Sequence, residues 1–132
     1  MRAQRTSATA PEAALRRVLR LLGARPAPGR LVRLPGGGRT TPDIVLPGHV
    51  AVYVHGCYWH GCDLHARAPK TNTLWWVRKL ARNRYRDRRH TEGLAELGWL
   101  PLVVWEHEDP HEAAADVLDA VRARVGRWEA RA

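Results

Sequence analysis

The chain contains no phenylalanine, one methionine and two cysteines, and its first 86 residues carry only three acidic side chains. Each shortage excludes something. Two cysteines in 132 residues cannot make a disulfide-stapled scaffold, and a chain of that length can bury one apolar core without one. No apolar run reaches the roughly 20 residues that span a bilayer. No apolar stretch near the N-terminus has the form of a secretory leader. One cytoplasmic domain with no membrane partner is therefore expected, preceded by a mobile basic arm at residues 1–8. The scarcity of acids is local. Residues 1–86 set sixteen Arg or Lys against Glu12, Asp43 and Asp63, a net charge of +13, whereas residues 87–132 carry −4. A basic body of this kind gathers a polyanion, most simply nucleic acid. An Arg-rich genome would produce the same balance with no partner at all.

What the chain does have is concentrated in residues 52–65, Val-Tyr-Val-His-Gly-Cys-Tyr-Trp-His-Gly-Cys-Asp-Leu-His. Both cysteines, three of the seven histidines and an aromatic pair, Tyr58 and Trp59, lie there. They follow an alternating run, Val50, Val52 and Val54, that reads as a buried strand. Cys57, Cys62 and His65 supply three sulfur or nitrogen ligands, and structural zinc takes four in a tetrahedron. His107, after the next predicted strand, is the preferred fourth ligand; His60 and Asp63 compete for that place. Four protein ligands would leave the ion no open position, so such a zinc would hold the loop without activating water. The bland alternative is a pair of buried cysteines with no metal.

Around this stretch the pattern alternates helix and strand. Thr9-Ala10-Pro11-Glu12 has the form of a helix start, and the helix runs to about Leu22 with Ala14, Leu15, Val18, Leu21 and Leu22 inward and Gly23 closing it. Glu12 has a sufficient role there as a capping residue. A loop rich in Pro and Gly follows, broken by a short strand near 31–34. Its Gly36-Gly37-Gly38 run lacks the Lys-Ser or Lys-Thr of a phosphate loop. Strands are expected at 41–47 and 49–54, a hairpin that can bring Asp43 near His55 and His60, although Asp43 also suits a turn after proline. A long helix or a pair, 75–89 and 91–97, carries seven basic residues and one acid, Asp87, before the helix pair reaches position 90. Residues 99–105 read as a strand near a sheet edge, because Pro101 cannot donate to a ladder. An amphipathic helix over 110–126 packs over the sheet.

Asp43, His55, His60 and Asp87 remain for chemistry. A strand carboxylate can hold Mg²⁺ against phosphate oxygens. A neutral histidine beside it can take a proton from attacking water. A second histidine paired with a carboxylate stays oriented and can become cationic near the phosphate.

These residues resemble the very short patch repair (Vsr-type) endonucleases. The matching segments are Pro11-Glu12 and its helix, Pro42-Asp43-Ile44-Val45, His55-Gly56-Cys57-Tyr58-Trp59-His60, Pro69-Lys70-Thr71-Asn72, Lys79 to Asn83, Arg86-Asp87-Arg88-Arg89, and Leu97-Gly98-Trp99 through Val104-Trp105-Glu106. The resemblance implies a restriction-endonuclease-like α/β fold, a three-layer sandwich whose central mixed sheet is flanked by helices and stapled by zinc, in one nuclease domain. It implies Mg²⁺-dependent nicking of double-stranded DNA beside the thymine of a T·G mismatch, by a nucleoid-associated bacterial monomer with mismatch-repair proteins as further partners. By position, Asp43 and the backbone carbonyl of Val54 would hold Mg²⁺, His60 would be the general base, and His55 and Asp87 would form a pair at the scissile phosphate. Glu12 would reach the metal through water. Tyr58, Trp59 and Trp76 match aromatics that wedge into the base stack, and Lys79, Arg82, Arg86, Arg88 and Arg89 would grip the DNA. The chain departs from related nucleases in lacking an acid and a lysine on the strand after Pro-Asp, as expected if His60 replaces the lysine. Tyr58 stands where Phe is more usual, the insertion at Gly36–Thr41 is longer, and the N-terminal arm is shorter. A zinc-stapled nucleic-acid-binding module without activity and a Vsr-like nuclease of relaxed specificity are the alternatives.

Overall fold

A computed structural model describes residues 9–57 and 73–131, with side chains as far as residue 126. Expectations placed on the arm at 1–8, and on Tyr58, Trp59, His60, Cys62 and His65, lie outside the described residues.

Helix α1 spans Ala10–Leu21. The Thr9 hydroxyl accepts from the Glu12 N–H at 3.4 Å, and Pro11 sits in the first turn, where its missing N–H costs nothing. Leu15, Val18 and Leu19 form its buried stripe. Leu21 and Leu22, expected inward, are exposed, because the helix ends at this point and turns through Gly23 at φ 96°.

Six short strands are described. β1 (Ala27–Pro28), β4 (Ile44–Leu46), β5 (Val50–His55) and β6 (Leu100–Trp105) form one sheet in the order β1-β4-β5-β6. The first two junctions are antiparallel and β5–β6 is parallel, so the sheet is mixed. β2 (Val32–Arg33) and β3 (Arg39–Thr40) make a separate hairpin that uses the glycine run as its turn. Pro101 faces Ala51 on β6, which pairs with β5 alone among the described strands, as its proline requires.

The parallel pair demands a long crossover, and helix α2 lies within it. It is one continuous helix over Thr73–Glu96, the first of the two arrangements that the sequence allows. Neither His90 nor Thr91 breaks a helix, and Gly93 is kept inside it for a packing reason. A Cβ at position 93 would lie 2.9 Å from a methyl of Leu34, so the bare backbone lets the β2–β3 hairpin seat against the helix. Helix α3 covers Pro110–Arg131, longer than the pattern alone indicates.

Three layers result. On one face of the sheet, α1 and α3 bury Leu15, Leu19, Ala114, Val117 and Leu118 against Ile44, Leu46, Val50, Val52 and Val104. On the other, α2 and the hairpin enclose Leu34, Ala51, Tyr53, Leu94 and Trp99. Arg124 of α3 donates to the Gly48 carbonyl at 3.0 Å and to the Gly98 carbonyl, tying together the turns that lead into β5 and β6. A mixed sheet flanked by helices fits the architecture expected from the sequence. The central strand β5 ends at His55, where the candidate residues gather.

Candidate active site

Asp43 precedes β4 and is gripped at several points. Its N–H donates to the Val52 carbonyl at 3.0 Å, and its Oδ2 accepts from the Val54 N–H at 2.7 Å. In an extended strand the N–H and C=O of one residue point to the same side, so the Val54 carbonyl opens toward the Asp43 side as well. The carboxylate and this carbonyl are both hard oxygen donors, the type Mg²⁺ takes. Gly29, just past β1, lets the chain lie against the residue before Asp43: a Cβ there would stand 1.6 Å from the Pro42 carbonyl oxygen.

Alternation along β5 turns Tyr53 and His55 to the α2 face. His55 is buried, with Trp105 edge-on at 5.2 Å between ring centroids and Tyr53 tilted at 5.9 Å. Its Nδ1 lies 4.0 Å from Asp87 Oδ2. That is ion-pair range, but longer than a hydrogen bond. Asp87 is turned inward by the helical period, in one row with Trp76, Asn83 and Leu94 on α2. The lone acid in a run of arginines therefore faces the strand end. The Tyr53 hydroxyl pairs with the Thr40 hydroxyl. Its pKa is raised, chiefly by burial and then by the negative charges of Asp43 and Asp87, which the Thr40 bond only partly offsets. A neutral phenol thus stands among the carboxylates.

Glu12 accepts from Arg16 Nε at 3.1 Å, and Arg16 Nη2 donates to the Asp43 carbonyl at 2.7 Å. The Glu12 N–H uses the Thr9 cap while its carboxylate turns to Arg16, so the residue serves the helix end and the site region together.

At the other side of the strand end, Cys57 Sγ lies 3.2 Å from His107 Nδ1. Sulfur and nitrogen bound to one tetrahedral zinc would be about 3.5 Å apart, given the usual bond lengths. The Cys57 N–H also donates to Glu106 Oε2 at 3.1 Å, and the Glu106 N–H donates to the His55 carbonyl at 2.9 Å. Glu106 thereby fixes the chain just past the end of β5. Among the described residues no three His, Cys, Asp or Glu side chains converge on a common metal position. The structure brings together Asp43 with Val54, His55 with Asp87, and Cys57 with His107; the distance from Asp43 to His60 lies outside the described residues.

One expected DNA contact is placed differently. Trp76 is 3% exposed, whereas Trp75 beside it is 56% exposed. The reason is the inward row that Trp76 shares with Asn83 and Asp87, which leaves its neighbour on the outer face. Trp75, Arg78, Arg82, Tyr85 and Arg89 make that outer row, all exposed, with Arg86 and Arg88 also exposed and Lys79 partly so. Arg16, Tyr53 and Glu106 were not singled out from the sequence as site residues. Arg16 had a signal, its place four residues after Glu12 on a helix; Tyr53 and Glu106 depend on contacts distant in the chain.

The chain matches the family described as DNA mismatch endonuclease Vsr over residues 1–66. It is 47% identical over 122 residues to the type II nicking enzyme V.NaeI of Lentzea aerocolonigenes, covering 92% of this chain and 74% of that protein. It is 42% identical over 113 residues to the type II nicking enzyme V.XorIIP of Xanthomonas oryzae pv. oryzae, covering 82% and 77%. With the DNA mismatch endonuclease Vsr of Escherichia coli it shares 42% identity over 76 residues, 55% of this chain and 46% of that one.

Proposed function

This chain belongs to the Vsr family of DNA endonucleases, and from that premise we propose that it nicks one strand of duplex DNA beside the thymine of a T·G mismatch, with Mg²⁺ as cofactor. The observation that carries this reading is the docking of the Asp43 carboxylate on the Val54 N–H, beside the His55–Asp87 pair at the end of one strand. The description of two relatives as nicking enzymes supports cleavage of a single strand.

Asp43 and the Val54 carbonyl would hold the Mg²⁺, which supplies charge neutralisation at the phosphate and a more acidic bound water. His60 takes the proton from the attacking water. His55, kept in place by Trp105 and Tyr53 and facing Asp87, presents an imidazole that the carboxylate helps to hold cationic beside the developing phosphate charge. Tyr53, buried and with its pKa raised, adds no charge of its own beside His55. Cys57 and His107 fit a structural zinc with Cys62 and His65, a staple on the loop that carries Tyr58, Trp59 and His60.

The outer row of α2 supplies the grip on DNA. Asp87 is turned away from it, so from Trp75 to Arg89 that row carries no acid, and the Arg86 beside it reaches Asp87 at 4.0 Å. Trp75 replaces Trp76 as the exposed indole at the helix start. Residues Tyr58 and Trp59 keep the role of wedge, because a mispaired step is cheaper to unstack than a matched one.

The test is a nicking assay on matched and T·G duplexes with and without Mg²⁺, together with zinc analysis of the purified protein. Nicking of the T·G duplex alone, dependent on Mg²⁺, is expected, with about one zinc per chain. Equal cutting of both duplexes would replace mismatch repair by relaxed specificity. Binding without cutting would leave a zinc-stapled binding module.

A further inference from the structure

Arg16 is half-turned into the protein, its side chain 14% exposed, with Glu12 equally enclosed at 15%. Three of its nitrogens are used. Nε donates to Glu12 Oε2 at 3.1 Å, Nη1 to the Pro26 carbonyl at 3.5 Å, and Nη2 to the Asp43 carbonyl at 2.7 Å. One guanidinium thus joins α1, the segment entering β1 and the residue that opens β4. The shortest of the three bonds is to Asp43, and the other end of Asp43 is fixed by the Val54 N–H at 2.7 Å. Asp43 is therefore clamped at its main chain and at its carboxylate by separate parts of the fold. The planar fork of Arg is suited to such a task, because its donors are pre-set in direction; a Lys ammonium would be a point charge on a flexible stem. Glu12 in turn fixes the fork from the helix side and balances its charge.

We propose that Arg16 is a positioning residue for the metal-binding carboxylate: oriented by Glu12, it fixes the main chain of Asp43 so that the carboxylate and the Val54 carbonyl face one ion. This rests on the reading of Asp43 as a Mg²⁺ ligand. A partner that acts one step away from a metal ligand typically changes metal affinity or activity by about 10–100-fold when removed.

The experiment compares Arg16→Met, Arg16→Lys and Arg17→Met with the parent chain. Arg17 is the exposed neighbour on the same helix and controls for loss of one positive charge. Mn²⁺ binding is followed by electron paramagnetic resonance in the absence of DNA, duplex affinity is measured in chelator, and thermal midpoints are recorded. The Mg²⁺ concentration for half-maximal nicking is then read on the T·G duplex. Arg16→Met is expected to weaken Mn²⁺ binding and raise the Mg²⁺ requirement by about 10–100-fold, with duplex affinity in chelator matching that of Arg17→Met. Arg16→Lys should fall between, since it can reach some of the three acceptors but not all. A lowered thermal midpoint with unchanged Mn²⁺ affinity would make Arg16 a structural tie only and overturn the proposal. Failure of the parent chain to bind Mn²⁺, or an Asp43→Asn variant that binds it normally, would instead sink the metal reading on which the proposal stands.

Discussion

The two faces of β5 divide the work of the molecule. Val50, Val52 and Val54 look toward α1 and α3, into a layer made of aliphatic side chains. Ala51, Tyr53 and His55 look toward α2, and along that face the side chains become steadily more polar toward the strand end, from a fully buried alanine through a phenol to an imidazole facing Asp87. The first face binds the layers together by excluding water. The second keeps enough apolar packing near Leu94 and Trp99 to hold α2, and then gives way to titratable groups at the strand end. A strand with period two can do both at once, because adjacent residues never share a face.

Variants on the two faces should therefore fail in opposite ways. The largest effect is expected from Asp43→Asn. The amide oxygen can still accept from the Val54 N–H, so the fold persists, while loss of the charged metal ligand lowers the nicking rate by about 10³-fold or more. Single-turnover assays at saturating duplex and Mg²⁺ read this, and a rate within tenfold of the parent would refute the assignment. On the opposite layer, Leu19→Ala should cost about 2–5 kcal/mol of stability by leaving a cavity under the sheet. Urea unfolding measures the loss; the fraction still folded should nick at the parental rate, and a matching drop in that rate would erase the division between faces.

Asp87→Asn comes next, with a rate loss of about 10²-fold and little change in unfolding free energy. The limb of its pH–rate profile that falls as pH rises should move to lower pH, since the neighbouring imidazole loses the carboxylate that favours its cation. An unchanged profile would show that the pair does not act in the rate-limiting step. The smallest effect concerns His90, which lies on α2 beyond the site. Its pKa is lowered from 6.5, first by burial and then by Arg86 and Arg89 against an opposing pull from Asp87. The unfolded chain then binds the proton more readily, so its contribution to stability is present above pH 6.5 and is lost as pH falls through the lower folded value. His90→Asn should flatten the fall in thermal midpoint between about pH 7 and pH 5. An identical slope in parent and variant would remove His90 as the cause.

The apolar face was the readable one. Leu15, Val18 and the alternating valines declare their faces through simple periods, and Pro101 marked its strand as an edge. The choice between one helix and two for α2 was not readable, because the reason for Gly93 inside it is a leucine 59 positions earlier in the chain. Asp43, His55, Cys57, Asp87 and His107 could be picked out by residue type, and the fold sets Asp43 on Val54, His55 facing Asp87, and Cys57 beside His107. The clamps of the site could not. Arg16 reaches the Asp43 carbonyl and Glu106 reaches the Cys57 N–H only because the backbone brings them together, and main-chain partners leave no mark on residue type. Trp76 and Trp75 show the same limit on α2: adjacent indoles cannot be told apart until the helix is set in phase against Asp87.

Arg124 and Glu106 hold the parallel pair from opposite ends. One guanidinium from the last helix fastens the turns leading into β5 and β6, and Glu106 joins the strand tips through the His55 carbonyl and the Cys57 N–H. Amide hydrogen exchange along Val50–His55 should accordingly be slow at both ends, with no gradient from one tip to the other. Buttoned twice, these strands have to part together or not at all.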